Sequence, residues 1–265
     1  MGLKTTLATV IATTVIASGQ TSLRPKLDQF EVATIKPTGT ESGGRWIRMQ
    51  SVDRFEARNH AARTLIAAAF EISPQAISGG PAWVDSDHWD IQAKTPGGIR
   101  PSLNEQMAML RSLLRERFNL TFHREQKRMR IYSLTVVSSG PKLKDSPVSA
   151  DALSEDRPPL LFVLSPTVVR LRARYATMSE FASILQRSPL ERPVVDQTGL
   201  AGRYDFDLEF APDERLWGGI LKQPENSDKP DLFKAIQEQI GLHLEAITGP
   251  VDTIVIDRIE RPTVN

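Results

Sequence analysis

The 265-residue sequence contains no cysteine. That absence excludes disulfides, a lipidated N-terminal cysteine, thiol catalysis and thiolate metal sites together. A chain without such staples rests on its hydrophobic core, and this length allows a sizeable one. A surplus of either charge is also missing: 33 Lys and Arg face 32 Asp and Glu. The basic surface that displaces counterions from nucleic acid is therefore absent overall, and no nucleic-acid partner is expected. The charge is unevenly divided. Residues 46–140 hold 13 basic and 9 acidic side chains, and residues 160–265 hold 12 and 16. Compositional drift accounts for such a split as readily as steering of one half toward the other does.

Long hydrophobic runs are lacking too. The apolar stretch 7–17 falls short of the ~20 residues that span a bilayer. Lys4 precedes it, and Ala17 and Gly19 place small residues before Gln20. Residues 1–19 thus read as a secretory signal. The expectation is an exported protein, periplasmic or extracellular, with no stable membrane span after signal cleavage.

Complete catalytic signatures are missing as well. There is no G-x-S-x-G elbow, no H-E-x-x-H pair, no G-x-G-x-x-G turn and no P-loop. Asp85, Asp87 and Asp90 cluster after Gly79-Gly80-Pro81, and spaced acids of this kind can hold calcium. The sixth position of such a loop is Asp90 rather than glycine, however, and the twelfth is Pro96 rather than glutamate. Neither a metal site nor a cofactor is expected.

What the chain does contain is a sentence written twice. Arg54-Phe55-Glu56-Ala57-Arg58 opens one copy and Arg170-Leu171-Arg172-Ala173-Arg174 the other. Each is followed by a helix-period run, a Gly/Pro-rich loop, an aromatic-Asp strand (Trp89-Asp90, Tyr204-Asp205), a second amphipathic helix and two further strand segments. In the first copy Ala62, Leu65, Ile66, Ala69 and Phe70 share one helical face, with Asn59 as a candidate cap. In the second, Thr177-x-x-Glu180 is a capping box. Segments 120–124 and 129–137 read as one hairpin around Gln126-Lys127-Arg128. Segments 242–247 and 251–256 read as another across Thr248-Gly249-Pro250. The predicted fold is α+β: two tandem-duplicated half-domains, each with two helices packed on a mainly antiparallel sheet. The boundaries are 1–19 for the signal, 28–140 for the first repeat, 141–159 for a Ser/Pro-rich linker and 160–265 for the second repeat. Leu65 matches Phe181, Leu114 matches Ile236, and Phe118 matches Ile240, all as core positions.

Several runs carry a wider likeness: Phe30-Glu31-Val32-Ala33-Thr34-Ile35-Lys36-Pro37, Ser78-Gly79-Gly80-Pro81-Ala82-Trp83, Arg117-Phe118-Asn119-Leu120 and Phe122-His123-Arg124-Glu125. So do Arg192-Pro193-Val194-Val195-Asp196-Gln197-Thr198-Gly199-Leu200, Gly202-Arg203-Tyr204-Asp205-Phe206 and the tail Val255-Ile256-Asp257-Arg258-Ile259-Glu260-Arg261-Pro262. On these the chain resembles a soil-associated bacterial exported protein family of unknown function. The resemblance implies export. Relatives with this module beside a membrane metallopeptidase-type sensor region imply an extracytoplasmic sensing or binding role. No catalytic residues follow from it.

Two functional readings result. The first is a non-enzymatic binding or interaction module for a protein, peptide or glycan of the cell envelope. Its candidate contacts are Trp83, Trp89, Asp90, Tyr204 and Trp217, because aromatics on loops and strand ends suit such ligands. The second is a secreted hydrolase. Asp205, Asp207 and Glu209 alternate on one strand, and paired carboxylates of this kind serve glycosidases. Because Asp90 matches Asp205, a structural carboxylate repeated in both halves is the simpler reading of that pair. The cluster Arg111, Arg115, Arg117, Arg124, Lys127, Arg128 and Arg130 reads as charge that solvates a helix and guards a strand edge.

Overall fold

A computed structural model describes residues 26–39, 44–147, 159–219, 221–225 and 227–263. The signal segment 1–19 lies outside them. The elements are β1 (Val32–Pro37), β2 (Trp46–Met49), β3 (Arg54–Ala61), α1 (Ala62–Phe70), β4 (Ile77–Gly79), α2 (Trp83–Ser86), β5 (His88–Lys94), α3 (Leu103–Arg117) and β6 (Thr121–Val136), followed by β7 (Lys144–Asp145), β8 (Leu160–Leu164), β9 (Val169–Ala176), α4 (Met178–Arg187), β10 (Val194–Asp196), β11 (Tyr204–Phe210), α5 (Leu232–Ile240) and β12 (Leu242–Arg258). The fold is α+β, and its sheets are mostly antiparallel. Among the described residues no helix is long and apolar enough to cross a membrane.

Among the described residues the strands form three four-stranded sheets. Their orders are β1-β5-β3-β2, β7-β11-β9-β8 and, between them, β10-β6-β12-β4. The first two follow the same plan: a long strand opening on Arg-x-x-Ala-Arg lies between an edge strand and an aromatic-Asp strand. The third draws on both halves of the chain. β6 and β12 pair antiparallel from Leu242 opposite Val136 to Arg258 opposite Thr121. β4, from the first half, pairs parallel with β12. β10, from the second half, pairs parallel with β6.

This corrects the two expected hairpins. Each is a single straight strand, and the partner of each is the strand from the other half. Tight hairpin turns require residues that accept positive φ. Gln126-Lys127-Arg128 offers none. Gly249 could turn, but it is not among the positive-φ glycines. Its missing side chain serves close approach instead, since a Cβ there would lie 2.8 Å from Ile131 Cδ1. Pro250 falls where β4 has not yet joined β12, because β4 pairs only with residues 254–256. One side of the strand is open there, the setting in which strands accept proline. The segment read as linker is also partly structured: Lys144–Asp145 forms β7 and pairs with β11.

The long strands carry each half's apolar residues into the other half's core. The first core gathers Ile35, Phe55, Leu65, Ile66, Ile91, Leu110, Leu114 and Phe118, together with Ile254, Ile256 and Ile259 from the far end of the chain. The second gathers Phe181, Leu208, Phe210, Ile236, Ile240 and Leu242, with Leu134 from β6 and Tyr132 and Val136 packed against it. α5 bridges layers by packing on both β11 and β12. The predicted capping box holds: Thr177 Oγ1 accepts from Glu180 N at 3.1 Å, and Glu180 Oε2 accepts from Thr177 N at 2.8 Å. A second box, Ser102 with Glu105, opens α3. Asn59 does not cap α1. Ala61 stands at the cap position, and Asn59 sits two residues earlier at φ 56°.

Leu114 and Ile236 are fully buried, one in each core. Truncating either to Ala should cost about 2–5 kcal/mol, the usual range for a buried Leu or Ile. Urea denaturation of both variants measures this. A loss below about 1 kcal/mol at either site would contradict the burial described.

Candidate functional site

The most distinctive backbone of the molecule occurs twice. In β3, Arg58 and Asn59 both stand opposite Asp90, because the register jumps between Ala57 and His60. In β9, Arg174 and Tyr175 stand opposite Asp205, because the register jumps between Phe206 and Tyr204. Two residues facing one is a β-bulge, which twists the strand and re-aims its side chains. The second residue of each bulge is left-handed, Asn59 at φ 56° and Tyr175 at φ 56°. Asparagine tolerates that region, whereas tyrosine does not readily.

The facing carboxylate holds the strained residue in both cases. Asp90 Oδ1 accepts from Asn59 N at 2.9 Å and from Thr38 Oγ1 at 2.8 Å. Asp205 Oδ1 accepts from Tyr175 N at 2.8 Å. Arg203 adds support at Tyr175, donating to its carbonyl at 2.9 Å and lying 4.5 Å from its ring centroid. Asp90 and Asp205 are thus matched pins of the backbone.

The other acids of the proposed hydrolase set are also engaged. Arg174 Nη2 donates to Asp207 Oδ2 at 2.9 Å. Glu209 meets Arg170 at 2.7 Å and Lys229 at 3.0 Å. Lys229 and then Arg170 hold the Glu209 carboxyl below its usual range. A general acid at neutral pH needs the opposite shift. Asp85, Asp87 and Asp90 diverge to Arg63, Arg261 and Asn59.

Three of the four aromatic candidates are buried. Trp83, Trp89 and Trp217 all lie in the two cores. Trp89 packs edge-on against Phe118, and Trp217 stacks on Phe210 while its Nε1 donates to Ser188. Tyr204 is half-buried against the second core. Large rings in so few numbers are used first to fill space. Of the basic cluster, Arg111 donates to Ala69 O and lies over Phe70, Arg124 lies over the same ring, and Arg117 donates to Ala33 O.

The two bulges differ in what their arginines do. Arg174 Nη1 donates to Ala173 O at 2.6 Å and to Phe206 O at 3.1 Å, and Nη2 binds Asp207. The residue in the place of Asp207 on β5 is Gln92. Arg58 accordingly has no acid there. It stacks 5.2 Å from the Trp46 ring centroid instead, and its buried Nε has no partner among the described residues. Glu56, Ala57, Arg58, Asp90, Ile91 and Gln92 line a cavity of about 210 Å³. Trp46 is fixed beside it. Its Nε1 donates to Glu56 Oε2 at 2.6 Å, and Arg48 covers its ring at 4.9 Å. Burial pushes the Glu56 carboxyl up, but hydrogen bonds from Trp46, Gln50 and Arg48 outweigh it and hold it below the usual range.

His60 lies next to the bulge, 8% exposed. Thr64 Oγ1 donates to Ala61 O at 2.8 Å, so its own proton is used. The 3.1 Å contact with His60 Nδ1 then requires that nitrogen to donate. Nε2 makes no well-formed hydrogen bond among the described residues, although the Trp46 backbone lies close enough to favour the charged ring in part. Burial first, then the charge of Arg45, pushes the imidazole down from the ordinary 6.5 to about 3.

Residues 63–259 match the protein family described as Protein of unknown function (DUF3738). The chain belongs to that family. The match runs from α1 to the end of β12 and takes in the central sheet, the second bulge and Asp90, whereas β1, β2 and β3, with Arg58 and Asn59, precede it. No curated protein and no solved structure matches the chain. Within this DUF3738 member, the residues that sequence reasoning missed are Arg58, Gln92 and His60. Aligning the two Arg-x-x-Ala-Arg copies one strand further, onto β5 and β11, would have exposed the Gln92/Asp207 difference.

The depressed His60 sets a pH dependence. As pH falls from 6.5 toward 3, the unfolded chain binds a proton that the folded protein refuses. The stability due to neutral His60 is fully present above 6.5 and is lost through that window. One proton corresponds to about 1.4 kcal/mol per pH unit. Unfolding free energy measured between pH 7 and pH 4 should therefore fall less steeply in His60→Gln than in the wild type. Equal slopes would contradict a neutral, buried His60.

Proposed function

We propose that the chain is an exported, non-enzymatic binding module, built by tandem duplication, with its ligand site at the bulge of the first lobe. The difference between the two bulges carries this reading. One arginine is quenched by an acid and two carbonyls, and its counterpart lines a polar cavity and pairs with no acid among the described residues. Duplication is supported by the matched sheet orders, the matched bulges and the crosswise pairing of β4 and β10. A non-enzymatic role is supported by the engagement of Asp205, Asp207 and Glu209 with bases or backbone. Export rests on the signal-like residues 1–19.

Purified mature protein should show saturable stabilisation in a thermal-shift screen of small polar metabolites, and Arg58→Met should remove it. The same preparation should not turn over glycoside, ester or peptide substrates. Turnover that disappears in a folded Asp205→Asn variant would replace this reading with the carboxylate hydrolase. Export is checked by fractionation and N-terminal sequencing. A mature terminus near Gln20 outside the cytoplasm is expected, and a cytosolic chain that retains residues 1–19 would contradict it.

A further inference from the structure

The cavity beside the first bulge is lined by two carboxylates and one guanidinium. Their charges are not equally free. Glu56 is matched by Arg48 at 3.2 Å and by the Trp46 indole N–H. Asp90 receives only neutral donors, the Asn59 amide and the Thr38 hydroxyl, and both fall on Oδ1. Arg58 forms no ion pair among the described residues. No ion pair joins Arg58 to Asp90 among the described residues, although both line one cavity. The site thus presents one cation and one anion, neither in an ion pair among the described residues, on neighbouring strands of one sheet; Lys36 on β1 stands opposite Asp90 without forming an ion pair with it.

We infer that this cavity takes a small zwitterion, a free α-amino acid, with its carboxylate on Arg58 and Gln92 and its ammonium on Asp90. The inference deepens the binding reading and rests on it. Arginine suits the carboxylate end because its planar guanidinium offers a fork of donors. The Gln92 amide adds a neutral donor. Asp90 Oδ2, which accepts no hydrogen bond among the described residues, suits an ammonium. Both groups are presented by strands rather than by mobile loops. Arg58 is re-aimed by a bulge whose geometry is fixed by Asp90 itself. The ligand's two charges would also neutralise the two unmatched charges of the wall, which a singly charged ion does not do.

The second lobe supplies the control. There Asp207 occupies the position of Gln92 and binds the equivalent arginine. Gln92→Asp should therefore close the first site from within, by copying an arrangement that this protein already folds. Isothermal titration of the mature protein would compare glycine, L-alanine and L-glutamate with acetate, methylammonium and glucose. We expect the wild type to bind at least one of the three amino acids at least tenfold more tightly than acetate or methylammonium. We expect Gln92→Asp to lose tenfold or more of that affinity while its Tm is kept or raised. Asp207→Gln, in the other lobe, should leave the affinity unchanged. Amino-acid binding that survives Gln92→Asp would overturn the inference, as would equal binding of acetate. If glucose or a singly charged probe binds and Arg58→Met abolishes it, the zwitterion assignment fails and the binding reading stands. If none of the six probes binds, the zwitterion assignment fails, and the broader metabolite screen then decides the binding reading separately.

Discussion

The antiparallel pairing of β6 with β12 is the constraint on which the rest of the molecule depends. Each strand begins in the core of its own half and ends in the core of the other. Ile254, Ile256 and Ile259 are buried among residues that precede position 123, and Leu134 is buried among residues that follow position 159. Burying one such side chain is worth about 1.5–3 kcal/mol. Three isoleucines therefore contribute an amount comparable to a domain's whole margin of about 5–15 kcal/mol. The two lobes share their stability through one ribbon. β4 and β10 cross over in the same sense and close that ribbon on both sides.

Much of the local structure was legible in the sequence because it has local causes. Apolar spacing marked the helix faces, and Thr177 with Glu180 marked a helix start. The match of Asp90 with Asp205 was legible from the repeat, and so was its structural role. What was not legible depends on partners distant in sequence. Segments 120–137 and 242–257 have the pattern of a hairpin when each is read alone. Only the absence of a true turn residue in Gln126-Lys127-Arg128 hinted otherwise, and only the other half of the chain supplies the alternative partner. Asn59 resembled a helix cap because asparagine serves both caps and left-handed bulges, and the facing Asp90 decides between them. The depth of the tryptophans was not legible, because proximity to loops in sequence says little about burial.

The two bulges are alike in backbone and differ in their neighbouring side chains. Both lobes need a bulge, and both hold it with an aspartate that accepts from the strained residue's amide. That requirement fixes Asp90 and Asp205 in place. It leaves the neighbouring arginine and the residue two positions along the facing strand free to vary. In the second lobe they are Arg174 and Asp207, which satisfy one another. In the first they are Arg58 and Gln92, which do not form an ion pair, and Trp46 and Glu56 build a wall beside them. The two bulges share a plan, and the difference between them lies in one neutral amide, Gln92, where its counterpart Asp207 has a carboxylate.

Separating the halves tests the account at its centre. Residues 26–147 and 159–263 would be produced as two chains, and each would be examined by circular dichroism, thermal unfolding and sedimentation. The shared ribbon predicts that neither chain alone gives a folded monomer with a cooperative transition. It also predicts that mixing the two restores a 1:1 complex with a transition approaching that of the intact protein. A monomeric 26–147 chain that unfolds cooperatively near the Tm of the full protein would contradict it.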